Sequence, residues 1–132
     1  MKLEEILKSR DTNERTFGQF VRSCREEKGL SVRGLAAQIG CSAAYLSDIE
    51  KGNRYAPKKY LDTIFEVLGL PEEDKQNFLD LAGASRGFLY EDINSYFGQQ
   101  PLARMAMRSA MKNNPSDEYW LSFIEGMEKK ES

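Results

Sequence analysis

Two short apolar stripes, Leu35-Ala36-Ile39 and Tyr45-Leu46-Ile49, follow one another so closely that only Gly40 and Cys41 separate the helices they define. Ser31 and Ser42 stand where N-caps belong, and Gly40 stands where a left-handed residue ends a helix. Two short helices crossed by so tight a turn need small residues where the backbones approach and apolar residues facing a third element. They also need a polar outer surface on the second helix. Ala36 and Gly40 supply the first requirement, and Leu46 and Ile49 the second.

The remainder of the chain reads as further helices around this pair. Leu3, Ile6 and Leu7 mark an opening turn or two, closed by the breaker chemistry of residues 11–13, so 1–14 is expected to be a short N-terminal arm. Phe17, Phe20, Val21 and Cys24 recur at i, i+3, i+4 and i+7 up to Lys28-Gly29, which predicts the helix against which the pair packs. Pro57 opens a fourth helix with Tyr60, Leu61, Ile64, Phe65 and Leu68 inward. Pro71-Glu-Glu-Asp74 then puts negative charge at the positive end of a fifth, whose inward residues are Phe78, Leu79, Leu81 and Ala82 and whose stop is Gly83.

Residues 83–87 read as a joint. Beyond it, Ile93, Tyr96 and Phe97 mark one short helix, and Leu102, Met105, Ala106 and Ala110 the inward face of another. A last helix, capped by Ser116, carries Trp120, Phe123, Ile124 and Met127 on one face. No segment has a period of two, so the expected class is all-α. The expected division is an arm or short helix at 1–14, a five-helix domain at 15–83 and a helical C-terminal extension at 84–132.

The overall net charge of −2 conceals strong segregation. Residues 15–59 hold nine basic and four acidic side chains, net +5, so the rest of the chain carries −7. A basic module beside an acidic one is expected where the first meets phosphate and the second meets protein. The chain has no histidine, which excludes a His-based catalytic triad, and its two cysteines, Cys24 and Cys41, fall at positions an amphipathic pattern buries. No metal site and no cofactor are predicted, and neither a glycine-rich phosphate loop nor a nucleophile elbow is present. Adjacent carboxylates such as Glu26-Glu27 and Glu72-Glu73 point about 100° apart on a helix, so they read as solvated faces rather than acid–base pairs. An enzyme is not expected. The opening Met1-Lys-Leu-Glu-Glu-Ile-Leu7 lacks the apolar core of a secretory signal and no run is long enough to span a membrane, which predicts a cytoplasmic protein with no membrane partner.

The segment Gly29-Leu-Ser-Val-Arg-Gly-Leu-Ala-Ala-Gln-Ile-Gly40, continued by Cys41-Ser-Ala-Ala-Tyr-Leu-Ser-Asp-Ile-Glu-Lys-Gly-Asn-Arg54, resembles the Xre/Cro-type, lambda-repressor-like helix-turn-helix family. The resemblance extends over about residues 17–83. It rests on Leu35-Ala36, Gly40, Ser42, Leu46-Ser47, Ile49-Glu50 and Gly52 at fixed spacing. It implies that the second helix of the motif enters the major groove of double-stranded DNA, with Ala43, Ala44, Tyr45, Ser47 and Asp48 facing base edges. For Tyr45, inward packing is an equal alternative. The alanines offer methyl groups to thymine, and Asp48 offers an acceptor to cytosine. The resemblance further implies that Ser42, Lys51, Asn53, Arg54 and Lys58 meet phosphates or the minor groove, positioning rather than specifying. A glutamine common in the family at the second position of the first motif helix is Val32 here, with loss of a phosphate contact. Arg33 either replaces it or is solvated. Arg25 and Glu50 match an ion pair that joins the first helix to the reading helix.

One such domain buries only about 600–1,000 Å² on DNA, which is why dimers reading two half-sites are usual. The tail stripe of Tyr119, Trp120, Phe123, Ile124 and Met127 has the composition of an interface core, so a homodimer is predicted. Folding back within one chain is the equal alternative. The functional expectation is a sequence-specific transcriptional regulator, a repressor occupying operator DNA. The competing expectation is an antitoxin-like or adaptor protein whose C-terminal region binds a protein partner.

Overall fold

A computed structural model describes residues 3–8, 16–87, 89 and 91–130. Among them there are helices and no strands, so the protein is all-α, and the chain divides into two compact units, Met1–Tyr90 and Glu91–Ser132. No helix among the described residues is long and apolar enough to cross a membrane.

The first unit comprises α1 (Leu3–Lys8), α2 (Phe17–Glu27), α3 (Val32–Ile39), α4 (Ala43–Glu50), α5 (Lys58–Val67) and, after a 3₁₀ turn at Glu72–Asp74, α6 (Lys75–Ser85). The apolar stripes converge on one core. Phe20, Val21, Leu35, Leu46, Ile64 and Phe78 are fully buried. Phe78 of α6 is the hub, meeting Phe17, Phe20 and Phe65 edge-on at centroid separations of 5.2, 6.3 and 5.4 Å. Each such contact adds about 0.5–1.5 kcal/mol beyond the area it buries. Cys24 and Cys41 are half-buried against this core, and burial raises the Cys41 thiol pKa.

Three features of this unit differ from the sequence reading. The opening short helix is docked on the core, which the sequence did not indicate: Leu3 is fully buried and its N–H donates to Asp74 Oδ2 at 3.2 Å. Asp74 is therefore a buried bracket between α1 and the start of α6, not a solvated charge complementing a helix end. Pro57 precedes α5 as its N-cap residue. Gly83, expected as a stop, is buried within α6, which runs on to Ser85 before the left-handed Gly87.

The second unit comprises α7 (Glu91–Gln99), α8 (Pro101–Asn113) and α9 (Asp117–Lys130). Gln100 caps α8 by accepting from the Leu102 N–H, and Ser116 caps α9 by accepting from the Tyr119 N–H at 3.2 Å. The inward stripe of α8 is Ala103, Met107 and Ala110. Leu102 and Met105, expected inside, are 70% and 63% exposed. Arg104, also exposed, donates to the terminal carbonyls of Phe97 and Gly98 in α7. Neither α7 nor α8 has a fully buried residue.

Candidate nucleic-acid interface

The geometry of the α3–α4 pair follows from three local devices. Ser31 Oγ accepts from the Gly34 N–H at 2.9 Å, and Ser42 Oγ accepts from the Tyr45 N–H at 3.1 Å. Between them Gly40 adopts φ 92°, a left-handed conformation that a side chain rarely tolerates, and its N–H donates to the Ala36 carbonyl at 2.9 Å. The Cys41 N–H donates to the same Ala36 carbonyl at 3.0 Å, which closes the end of α3.

Helix α4 is held from behind by α2. Arg25 Nε and Nη2 donate to the two carboxylate oxygens of Glu50 at 2.8 and 3.1 Å, and Arg25 Nη1 donates to the Leu30 carbonyl at 2.9 Å. Both side chains are nearly buried, at 9% and 8% exposure. The hydrogen bonds that Arg25 donates to Glu50, more than the carboxylate charge alone, raise the pKa of the guanidinium. Gly18 lies directly under the last turn of α4, where a methyl group would overlap the Glu50 carbonyl. Gly18 lies outside the site residues expected from the sequence. A glycine inside an apolar helical stripe was its only signal.

With Leu46, Ile49 and Glu50 committed inward, the opposite face of α4 is available to a partner. Ala44 is exposed, while Ala43, Ser47 and Asp48 are half-exposed beside it. Tyr45 is half-buried, and its ring meets Tyr60 of α5 edge-on at 5.5 Å while the Arg54 guanidinium lies 4.7 Å from its centre. Tyr45 is thus packed in part against the core and α5, where base reading and inward packing were the two alternatives.

Exposed cations and polar groups border this face. Lys51, Asn53, Arg54 and Lys58 follow α4 in the loop and into α5, and Arg33 lies in the first turn of α3. The loop is itself ordered by hydrogen bonds, the Gly52 N–H donating to the Ile49 carbonyl and the Asn53 N–H to the Asp48 carbonyl, at 3.1 and 2.9 Å. Ser42 is exposed, but its hydroxyl is occupied by its cap. Two residues outside the expected set belong to the same edge: Tyr60, and Lys59, whose ammonium lies 4.9 Å from the Tyr60 ring centre. No periodicity links residues fifteen apart, so the Tyr45–Tyr60 pairing had no signature in the sequence. Among the described residues no group of three or more Cys, Asp or Glu is gathered as metal ligands.

In the second unit, Tyr119, Phe123 and Met127 of α9 are 55%, 44% and 53% exposed. Trp120 and Ile124 are half-buried. Trp120 stands between Tyr119 and Phe123, with ring centres 5.6 and 5.8 Å away, and the three line an apolar groove with Met107, Ala110 and Pro115.

Residues 16–78 match the family described as helix-turn-helix domain. The HTH-type transcriptional repressor RghR of Bacillus subtilis (strain 168) is 42% identical over 59 residues, which are 44% of this chain and 44% of RghR. The similarity thus spans less than half the length of that relative. Among solved structures, the SinR protein/SinI protein complex covers 88% of this chain and 98% of the matched chain, with 23% identity and a TM-score of 0.44.

Proposed function

We propose, from the match of residues 16–78 to the helix-turn-helix domain family and the Xre-type motif read in the sequence, that the chain is a sequence-specific, double-stranded DNA-binding transcriptional regulator. The observation that carries the proposal is the outward face of α4, opposite the buried Leu46, Ile49 and Glu50, with exposed cations on the segments next to it: Arg33 in α3, Lys51 and Arg54 in the following loop and Lys58 in α5. In this role α4 enters the major groove. The Ala43 and Ala44 methyls meet thymine methyls, Ser47 hydrogen-bonds a base edge, and Asp48 accepts from cytosine N4. Arg33, Lys51, Asn53, Arg54 and Lys58 contact phosphates and set the register, and Ser42 orients the first turn of α4 toward the backbone. The protein's role is binding, not catalysis.

The similarity to a transcriptional repressor supports repression, by occupancy of an operator. A single domain of this size reads too little DNA to be selective in a genome, so the regulator acts as a homodimer on half-sites about 34 Å apart. The exposed Tyr119, Phe123 and Met127 support the tail, residues 84–132, as the assembling part.

The test is the affinity for random and selected duplex pools, measured by fluorescence anisotropy across a salt series. The expected result is a steep linear fall of log K with log salt. Arg54→Ala should weaken binding to all duplexes and reduce the slope by about one. Failure of the wild-type chain to retain any duplex at low salt would overturn the proposal.

A further inference from the structure

Arg54, Tyr45, Tyr60 and Lys59 form a continuous ladder in which a cation, two edge-packed rings and a second cation alternate at 4.7, 5.5 and 4.9 Å. The two cations are exposed and the two rings half-buried. Among the described residues no carboxylate pairs with Arg54 or Lys59. Their charges are thus held in place by ring faces, which attract a cation without neutralising it. A carboxylate in the same place would fix the side chains and cancel the charge that a phosphate needs.

Resting on the DNA-binding reading above, we infer that Tyr45 and Tyr60 are positioning residues that pre-set Arg54 and Lys59 as neighbouring phosphate contacts at the edge of the reading helix. Tyr45 accordingly serves the DNA backbone through Arg54 and does not read a base. Lys59 joins the phosphate-binding set. A long cationic side chain ordinarily loses much of its rotamer freedom on binding, and a planar guanidinium already resting on a ring loses less. The ladder also ties the loop 51–57 to both α4 and α5, so the phosphate contact and the reading helix move as one piece.

Two measurements test this. In the free protein, the Nε–H and δ-methylene protons of Arg54 should resonate upfield of their usual positions because they lie over the Tyr45 ring, and Tyr45→Phe should keep that displacement. Ordinary shifts in the wild type would overturn the inference without touching the DNA-binding reading. On duplex DNA, Arg54→Ala should cost the same factor in the wild-type and Tyr45→Phe backgrounds, and about two- to five-fold less in Tyr45→Leu, the range expected for an exposed cation–ring contact. Equal losses in all three backgrounds would overturn it, as would a change of preferred sequence in Tyr45→Phe, which would return Tyr45 to base reading. Lys59→Ala should lower the salt slope by about one. If no background binds any duplex, the parent reading and this one fall together.

Discussion

Arg25 and Glu50 lie 25 positions apart, yet they form a two-pronged ion pair at 2.8 and 3.1 Å, almost closed to water. Stripping water from two charges offsets much of their attraction, so the pair contributes orientation more than net stability. Removing one partner strands the other in the core. Arg25→Ala should therefore lower the free energy of unfolding by about 3–5 kcal/mol, whereas Arg25→Met combined with Glu50→Leu should recover most of that loss in urea titrations. Because the Arg25 pKa is raised above its already high ordinary value, the contribution of its charge is fully present below that value and is lost only as pH rises through the folded pKa. Arg25 should accordingly impose no stability slope across neutral pH. The Arg25–Glu50 match was legible from the family resemblance. The buried bracket Asp74 was not, because its partner is a backbone N–H 71 residues away.

At the level of elements, α3 and α4 owe their crossing to short-range chemistry: two serine caps and one left-handed glycine. Ser42 illustrates how a cap can be separated from a contact. Its hydroxyl satisfies the Tyr45 N–H, a bond whose loss in Ser42→Ala should cost about 1 kcal/mol of stability in chemical denaturation. Ser42→Asp should keep the cap and the stability, while placing a negative charge against the phosphates the first turn is proposed to face. A weakened duplex affinity at unchanged stability is the expected signature, and unchanged affinity would move Ser42 away from the DNA. In the second unit the same kind of reasoning from spacing misjudged α8. Apolar residues occur at 102, 103, 105, 106, 107, 110 and 111 of that helix, so several stripes fit a helical period equally well. Packing with the neighbouring helices selects one of them, the stripe of Ala103, Met107 and Ala110.

For the whole molecule, one unit has a filled aromatic core and the other leaves large apolar side chains in water. Phe123 and Met127 are chosen as probes because they are 44% and 53% exposed, whereas Trp120 is half-buried within its own unit. Burying a Phe or Met side chain is worth about 1.5–3 kcal/mol, which is about ten-fold or more in a dissociation constant. Phe123→Ala with Met127→Ala should weaken self-association by at least about that factor in sedimentation equilibrium, with the first unit's urea transition unchanged. A wild-type chain that sediments as a monomer at all concentrations would end the dimer proposal.

The helical class, the two caps, the Gly40 turn and most of the first unit's core were legible without a structure, because each depends on neighbours within about one or two helical turns. The docking of Leu3 beside Asp74, the approach of Gly18 to the Glu50 carbonyl and the Arg54–Tyr45–Tyr60–Lys59 ladder were decided only when distant segments met. Periodicity records which face of a helix is apolar. It carries no information about which neighbour that face will find, since hydrophobic attraction is non-directional and only close packing and hydrogen-bond geometry select among partners.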